Sequence, residues 1–218
     1  MLSNSSYAAL HQSHLDDQDL RVLNALKCLK IVKAHVPFSS VVDFGCGIGG
    51  WLVAAKRLGA VNVTGLEGDW IKNQHTLLEE QEILVADFEK DRFDFNRSYD
   101  LGISIEVAEH IPAAAADAFC DSLVQSANFL VFSAAIPGQG GVNHVNEQKP
   151  RYWVDKFWHR GFIPLEIIRP LIANEPKMYP WLQQNIMMFV NYDLLHFYGD
   201  LVRFALPRRH FYVKYWPM

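Results

Sequence analysis

Charge, cysteine and long apolar runs are all in short supply in these 218 residues. Charged side chains make up 20% of the chain and apolar ones 50%, against roughly 25% charged in an average soluble protein. That balance excludes a disordered chain, which needs little apolar content and much charge. Lysine and arginine number 20 against 24 aspartates and glutamates, a net charge of −4. No basic excess is left for the phosphates of duplex DNA, so DNA is not an expected partner. No apolar run approaches the ~18 residues of a membrane span. The opening residues Met1, Leu2, Ser3 and Asn4 lack the basic start and apolar stretch of a signal peptide. Cys28, Cys46 and Cys120 are an odd number at wide spacing, neither a disulfide framework nor a zinc pattern. The expected compartment is the reducing cytoplasm.

Apolar periodicity alternates along the rest of the chain. Leu20, Leu23, Leu26 and Val32 recur at helical spacing over 19–35, and Pro37 ends that run. Short apolar runs at 41–44, 61–66, 83–86, 99–105, 129–135, 162–168 and 186–192 read as strands. Helices are expected at 50–59, 70–80, 113–126 and 152–159, and a helix start at 106–111. Strands alternating with helices imply an α/β fold whose parallel sheet carries helices on both faces. In such sheets ligands sit at the carboxyl ends of the strands, and the unusual residues cluster there. The expected organisation is a single domain over 1–218, with an N-terminal helical cap over 1–37, a core over 38–192 and an extension over 193–218.

The first strand runs into Asp43-Phe44-Gly45-Cys46-Gly47-Ile48-Gly49-Gly50. Glycines there permit a tight turn and close approach of a ligand to backbone N–H groups at a helix start. Glu67 ends the second strand, where a ribose-binding carboxylate belongs, and Asp87 ends the third. Three acids on adjacent strand ends are a poor home for a pyrophosphate. They suit a ribose, an adenine amino group and a cationic ligand. A nicotinamide dehydrogenase is the competing reading of the glycines, but Asp43 two positions before Gly45 is unusual in dinucleotide folds.

Together with Glu106-Val107-Ala108-Glu109-His110-Ile111-Pro112, these motifs resemble the class I S-adenosylmethionine-dependent methyltransferases over roughly 38–165. The resemblance implies a Rossmann-like, seven-stranded, mostly parallel sheet with an antiparallel last strand, and S-adenosylmethionine as cofactor. It places the loop of Asp43, Gly45, Gly47 and Gly49 at the methionine part of the cofactor and Glu67, with Gly68 beside it, at the ribose. It places Asp87 at the adenine amino group, Phe88 or Trp70 against the ring, and Glu106 near the cofactor. Glu106, Glu109 and His110 share one face if the segment is helical. One reading is a divalent metal held by Glu106, Glu109, His110 and a later histidine: a group of RNA 2′-O-methyltransferases has the same Glu-x-x-Glu-His spacing with a metal, and relatives presumed metal-free share the letters. No metal is expected here.

The segment after the fifth strand carries Asn143, His144, Asn146, Glu147 and Gln148. So many polar groups over a pocket need partners or a purpose. Histidine titrates near neutrality and can take a proton, which makes His144 the candidate base, with Asn143 and Asn146 as orienting groups. The resemblance supports this, since small-molecule methyltransferases with a similar stretch have it beside their acceptor. His110, Tyr179, Trp181 and Tyr7 are candidate acceptor contacts. Tyr179 and Trp181 would form an aromatic lid, and the N-terminal segment with Tyr7, His11 and His14 could fold over the pocket. Leu194, Leu195, Tyr198, Leu201, Val202 and Ala205 give a helical stripe for packing or for a homodimer contact. The expected activity is methyl transfer to oxygen or nitrogen of a small molecule. Cyclisation of the cofactor to azetidine-2-carboxylate with release of methylthioadenosine, and a non-catalytic cofactor-binding subunit, are the alternatives.

Overall fold

A computed structural model describes residues 11–72 and 74–206. Seven strands form one sheet: β1 (Ser40–Phe44), β2 (Asn62–Glu67), β3 (Ile83–Val85), β4 (Leu101–Ile105), β5 (Phe129–Ser133), β6 (Phe162–Leu165) and β7 (Met187–Asn191). Their order is β3-β2-β1-β4-β5-β7-β6. β1 pairs in parallel with β2 on one side and β4 on the other, while β7 runs antiparallel to both β5 and β6. This is the expected Rossmann-like arrangement with its late hairpin. The chain order reverses between β1 and β4, so the crevice beyond their carboxyl ends is the switch point where such sheets bind ligands.

The central strands are buried on both faces, which is why they read as unbroken apolar runs. Alternate residues feed two cores. Val41, Leu101, Ile103 and Val131 face α1 (Gln18–Lys33) and α2 (Gly50–Arg57). Val42, Phe44, Leu130 and Phe132 face α3 (Ala116–Ser126) and α4 (Pro150–Trp158). Helix α1 buries Val22, Ala25, Leu29 and Val32, three to four residues apart. Asn24 on the same helix is a deliberate exception. Its amide donates to the Lys177 carbonyl at 2.7 Å and accepts the Tyr179 N–H at 2.7 Å, stapling the helix to the late loop.

Four local expectations change. Residues 70–80 are not a helix. One 3-10 turn (Asp69–Ile71) is followed by irregular chain: Gln74 bonds back to Ile71, and the Leu77 N–H bonds to the Ile48 carbonyl of the glycine loop where a helix would need a partner within the segment. The segment after β4 is not a regular helix either. Glu106 has φ +54°, and a single 3-10 turn (Ala108–His110) ends before Pro112, which lacks an N–H and holds Ile111 extended. The long loop between β6 and β7 carries two short helices, α5 (Arg169–Ile172) and α6 (Pro180–Asn185). The stripe at 194–205 is two 3-10 turns that bury Leu195 and Leu201 against the domain, while Val202 stays exposed. Residues 207–218 lie outside the described residues.

Phe44 is the keystone of the second core, with the rings of Phe88, Phe93, Phe95 and Phe119 within 6.1–6.4 Å of its centroid. Phe44→Ala should cost about 3–5 kcal/mol, read as a lower denaturant midpoint with an unchanged slope.

Candidate active site

The carboxyl ends of β1, β2, β3 and β4 and the loop after β5 surround one cleft of about 1270 Å³. Its floor is the glycine loop. Gly45 has φ +81°, and a Cβ there would lie 2.3 Å from a methyl of Val107, so only glycine lets the loop pass the end of β4. Glu67 pins the loop in place. One carboxylate oxygen accepts the Gly47 N–H and the other the Gly68 N–H, each at 2.8 Å, and the Trp70 indole adds a third donor. Burial raises the Glu67 pKa and these three donors pull it back. Asp43 is raised well above the usual carboxylate range, by burial first and by the Glu67 charge second.

Gly45, Gly47, Glu67, Gly68, Trp70, Asp87, Phe88 and Glu106 all line the cleft. Asp43 and Gly49 do not. Asp43 is buried behind the loop, and Gly49 starts α2 under the side chain of Leu78. Both shape the loop from behind. Asp87 stands at the rim, paired with Lys90 at 2.5 Å and accepting the Glu89 N–H, and Lys90 first of all holds its carboxyl below the usual range.

The opposite wall belongs to the segment after β4 and the loop after β5. Gly141 has φ +156°, and a Cβ there would strike the His144 imidazole at 2.3 Å, so this glycine makes room for the ring. His144 Nδ1 lies 2.8 Å from Glu147, whose carboxylate is itself held by the N–H groups of Gly138 and Gly140. The ring of His110 meets that of His144 edge-on at 5.0 Å, and its Nδ1 lies 3.3 Å from the Asn143 carbonyl. Burial pushes His110 down to about 4, with the neighbouring His144 adding to it. Glu109 sits behind both, 1% exposed. Neither of its oxygens makes a well-formed hydrogen bond among the described residues. The nearby amides of Glu109 itself and Ala135 offset only part of the cost, and burial lifts its carboxyl to about 8.

His110, Asn143 and His144 meet there, and all line the cleft. Asn146 does not. It is buried in the loop, where its side chain accepts from Gln148 and its N–H bonds to the Glu109 carbonyl. Tyr179 and Trp181 line the cleft as a stacked pair with centroids 4.5 Å apart and planes 11° apart. The Tyr179 hydroxyl bonds to Asp17, and Arg21 lies over its ring. His11 and His14 also reach the cleft, while Tyr7 lies outside the described residues. Glu106 turns to a partner that local sequence could not reveal. Gln139 Nε2 donates to it at 2.6 Å, and Asn185, 79 positions along the chain, bridges Gln139 and Glu106.

A methyltransferase domain family matches residues 17–133, more than half of the chain, and the chain belongs to that family, whose methyl donor is S-adenosylmethionine. None of the curated proteins matches the sequence. Among solved structures, a chain from the complex of the Haloferax volcanii Trm112 methyltransferase activator is similar, with TM-score 0.59, 16% identity, and 86% and 96% of the two chains covered. A Thermotoga maritima S-adenosylmethionine-dependent methyltransferase, described as a possible histamine N-methyltransferase, has TM-score 0.57 at 10% identity over 85% and 97%. The magnesium protoporphyrin IX methyltransferase of Synechocystis with bound S-adenosylmethionine has TM-score 0.52 at 16% identity over 83% of each chain. At these identities the likeness is one of fold. Among the described residues, no helix is long and apolar enough to cross a membrane.

The buried Glu109 carboxyl gives a stability prediction with a definite sign. Its folded pKa of about 8 lies above the ordinary 4.5, so the folded state holds the proton more tightly. That contribution is complete below 4.5 and is lost as pH rises toward 8. His110, depressed to about 4 from 6.5, acts in the opposite direction, and only below 6.5. With a chelator present, the denaturation midpoint should fall between pH 6.5 and 8.5, and Glu109→Gln should flatten that fall.

Proposed function

We propose that this protein transfers the methyl group of S-adenosylmethionine to an oxygen or nitrogen of a small-molecule acceptor. One observation carries the reading. The glycine loop with its strand-end acids and the His110–His144 wall face each other across a single cleft, under the Tyr179–Trp181 pair. The first set fits the cofactor. The side-chain-free glycine loop lets a ligand approach the backbone at a helix start, and Glu67, with lone pairs to spare beyond its three donors, is placed for ribose hydroxyls. Asp87 is placed for the adenine amino group, and Phe88 and Trp70 for the faces of the ring. Glu106, held by Gln139 and Asn185, offers negative charge to the cofactor's ammonium. The bound cofactor supplies an electrophilic methyl group on a sulfonium.

The second set serves the acceptor. Aromatic faces attract cations, so Tyr179 and Trp181 cover the sulfonium side and keep water out. Positioning of the acceptor supplies most of the acceleration. His144 is the catalytic side chain for the acceptor's proton. Glu147 fixes its Nδ1, so Nε2 is the nitrogen left for that proton. Asn143 orients His110 through its carbonyl, and Asn146 keeps the loop in register.

The deciding experiment supplies the pure protein with S-adenosylmethionine, with and without a small-molecule filtrate of cell extract, and identifies products by mass spectrometry. S-adenosylhomocysteine formed only with the filtrate is the expected result. Methylthioadenosine and azetidine-2-carboxylate from the cofactor alone would replace the reading with cyclisation. Binding with no turnover would make the protein a cofactor-binding subunit. Glu67→Ala should weaken cofactor binding by about 1 kcal/mol or more, the scale of a lost charge-assisted hydrogen bond. Unchanged affinity in calorimetry would remove the ribose assignment.

A further inference from the structure

We infer that Glu109, His110 and His144 form a binding site for a divalent first-row metal ion in the acceptor wall of the cleft. Each residue offers one ligand atom, and these atoms lie within 4.8 Å of one another. A metal with ligand distances of ~2.0–2.2 Å would draw them inward by a fraction of that separation. Two imidazoles and a carboxylate are the donor set such ions take, and three protein ligands leave coordination positions open.

The independent observation is Glu109 itself. A carboxylate 1% exposed whose oxygens make no well-formed hydrogen bond among the described residues is costly, and buried charges are ordinarily paired or bound to a metal. The His144 Nε2 is 3.9 Å from Glu109 Oε1, too far for a hydrogen bond. A cation between them removes the deficit for both. The surrounding groups are those a metal site needs. Metal-bound histidines engage their other nitrogen with a carboxylate or a backbone carbonyl. Here Nδ1 of His144 meets Glu147, and Nδ1 of His110 meets the Asn143 carbonyl. Glu109 and Glu147 together carry the two negative charges that balance a divalent ion. Glu106 stays outside the set because Gln139 and Asn185 hold it.

The consequence for chemistry rests on the methyl-transfer reading. The ion selects an acceptor that offers an oxygen, and His144 changes from proton acceptor to ligand. A hydroxyl bound to the ion becomes acidic and gives its proton to water. Its oxygen then forms the bond to the methyl carbon as the carbon–sulfur bond breaks, and sulfur keeps the pair as a neutral thioether.

The test uses the full chain, stripped with EDTA and titrated with Co²⁺, followed by visible absorption. One equivalent should saturate the site. Glu109→Gln and His144→Gln should each abolish or severely weaken uptake. Glu147→Gln should weaken it about ten- to a hundred-fold through His144, and it decides the matter if Glu109→Gln does not fold. Glu106→Gln should bind Co²⁺ like the parent. Absent uptake, or uptake indifferent to the Glu109, His144 and Glu147 changes, would overturn the site. S-adenosylmethionine affinity measured on the same samples separates the two readings. Cofactor binding without Co²⁺ uptake removes the ion and leaves methyl transfer. Co²⁺ uptake without cofactor binding keeps the ion and removes methyl transfer.

Discussion

The cleft depends on one carboxylate accepting backbone N–H groups from two different loops. Glu67 closes β2, yet its oxygens hold Gly47 in the turn after β1 and Gly68 in its own turn. It adds to the bonds of Gly45 and Cys46 to the Leu66 carbonyl and of Leu77 to the Ile48 carbonyl, and it is the side chain that ties the loop after β1 to the turn after β2. The rest of the floor is organised around that bond pair. Gly45 passes under Val107 because any side chain would collide, and Leu78 closes over Gly49 because nothing projects from it. Strand register then places β3 and β4 beside these turns, so Asp87 and Glu106 reach the same crevice.

The arrangement of the glycine loop and the strand-end acids around one cleft was largely legible in the sequence because its signals are local. A strand, a glycine turn and an acid at the next strand end are each a few residues long, and sheet topology does the rest. Regular elements were legible for the same reason, apart from their ends. The failures share a different cause. Residues 70–80 carry helical spacing, but after the turn bonds of Ile71, Lys72 and Gln74 the Leu77 N–H goes to the Ile48 carbonyl of the glycine loop, and that tertiary bond outweighs a weak helical preference. At Glu106 the pull of the Ser133 backbone and hydroxyl on its N–H, with Pro112 ahead, prevents the helix that three well-spaced polar residues suggested.

The opposite wall was legible only as a list of residue types. Sequence named His144, Asn143 and Asn146 together, but the loop separates them. Its left-handed residue at Asn143 turns the carbonyl to His110 and sends the Asn146 side chain inward. Glu147 was an adjacent polar letter until the Gly138 and Gly140 amides fixed it beside His144. Asn185 had no local signal at all, since its meaning comes from β7 lying next to β5.

The two walls also differ in how they treat charge, and this links the site's shape to what it can hold. On the glycine-loop side Glu67 has three donors. On the opposite wall Glu109 is more deeply buried, and neither of its oxygens makes a well-formed hydrogen bond among the described residues. A fold can hide a carboxylate without donors only if it stays neutral or is met by a positive charge. The same few ångströms hold two imidazoles whose Nδ1 atoms are already committed to other partners. One ligand atom from each imidazole and one from the Glu109 carboxylate lie within 4.8 Å of one another, and a cation among them completes the wall that the backbone has built.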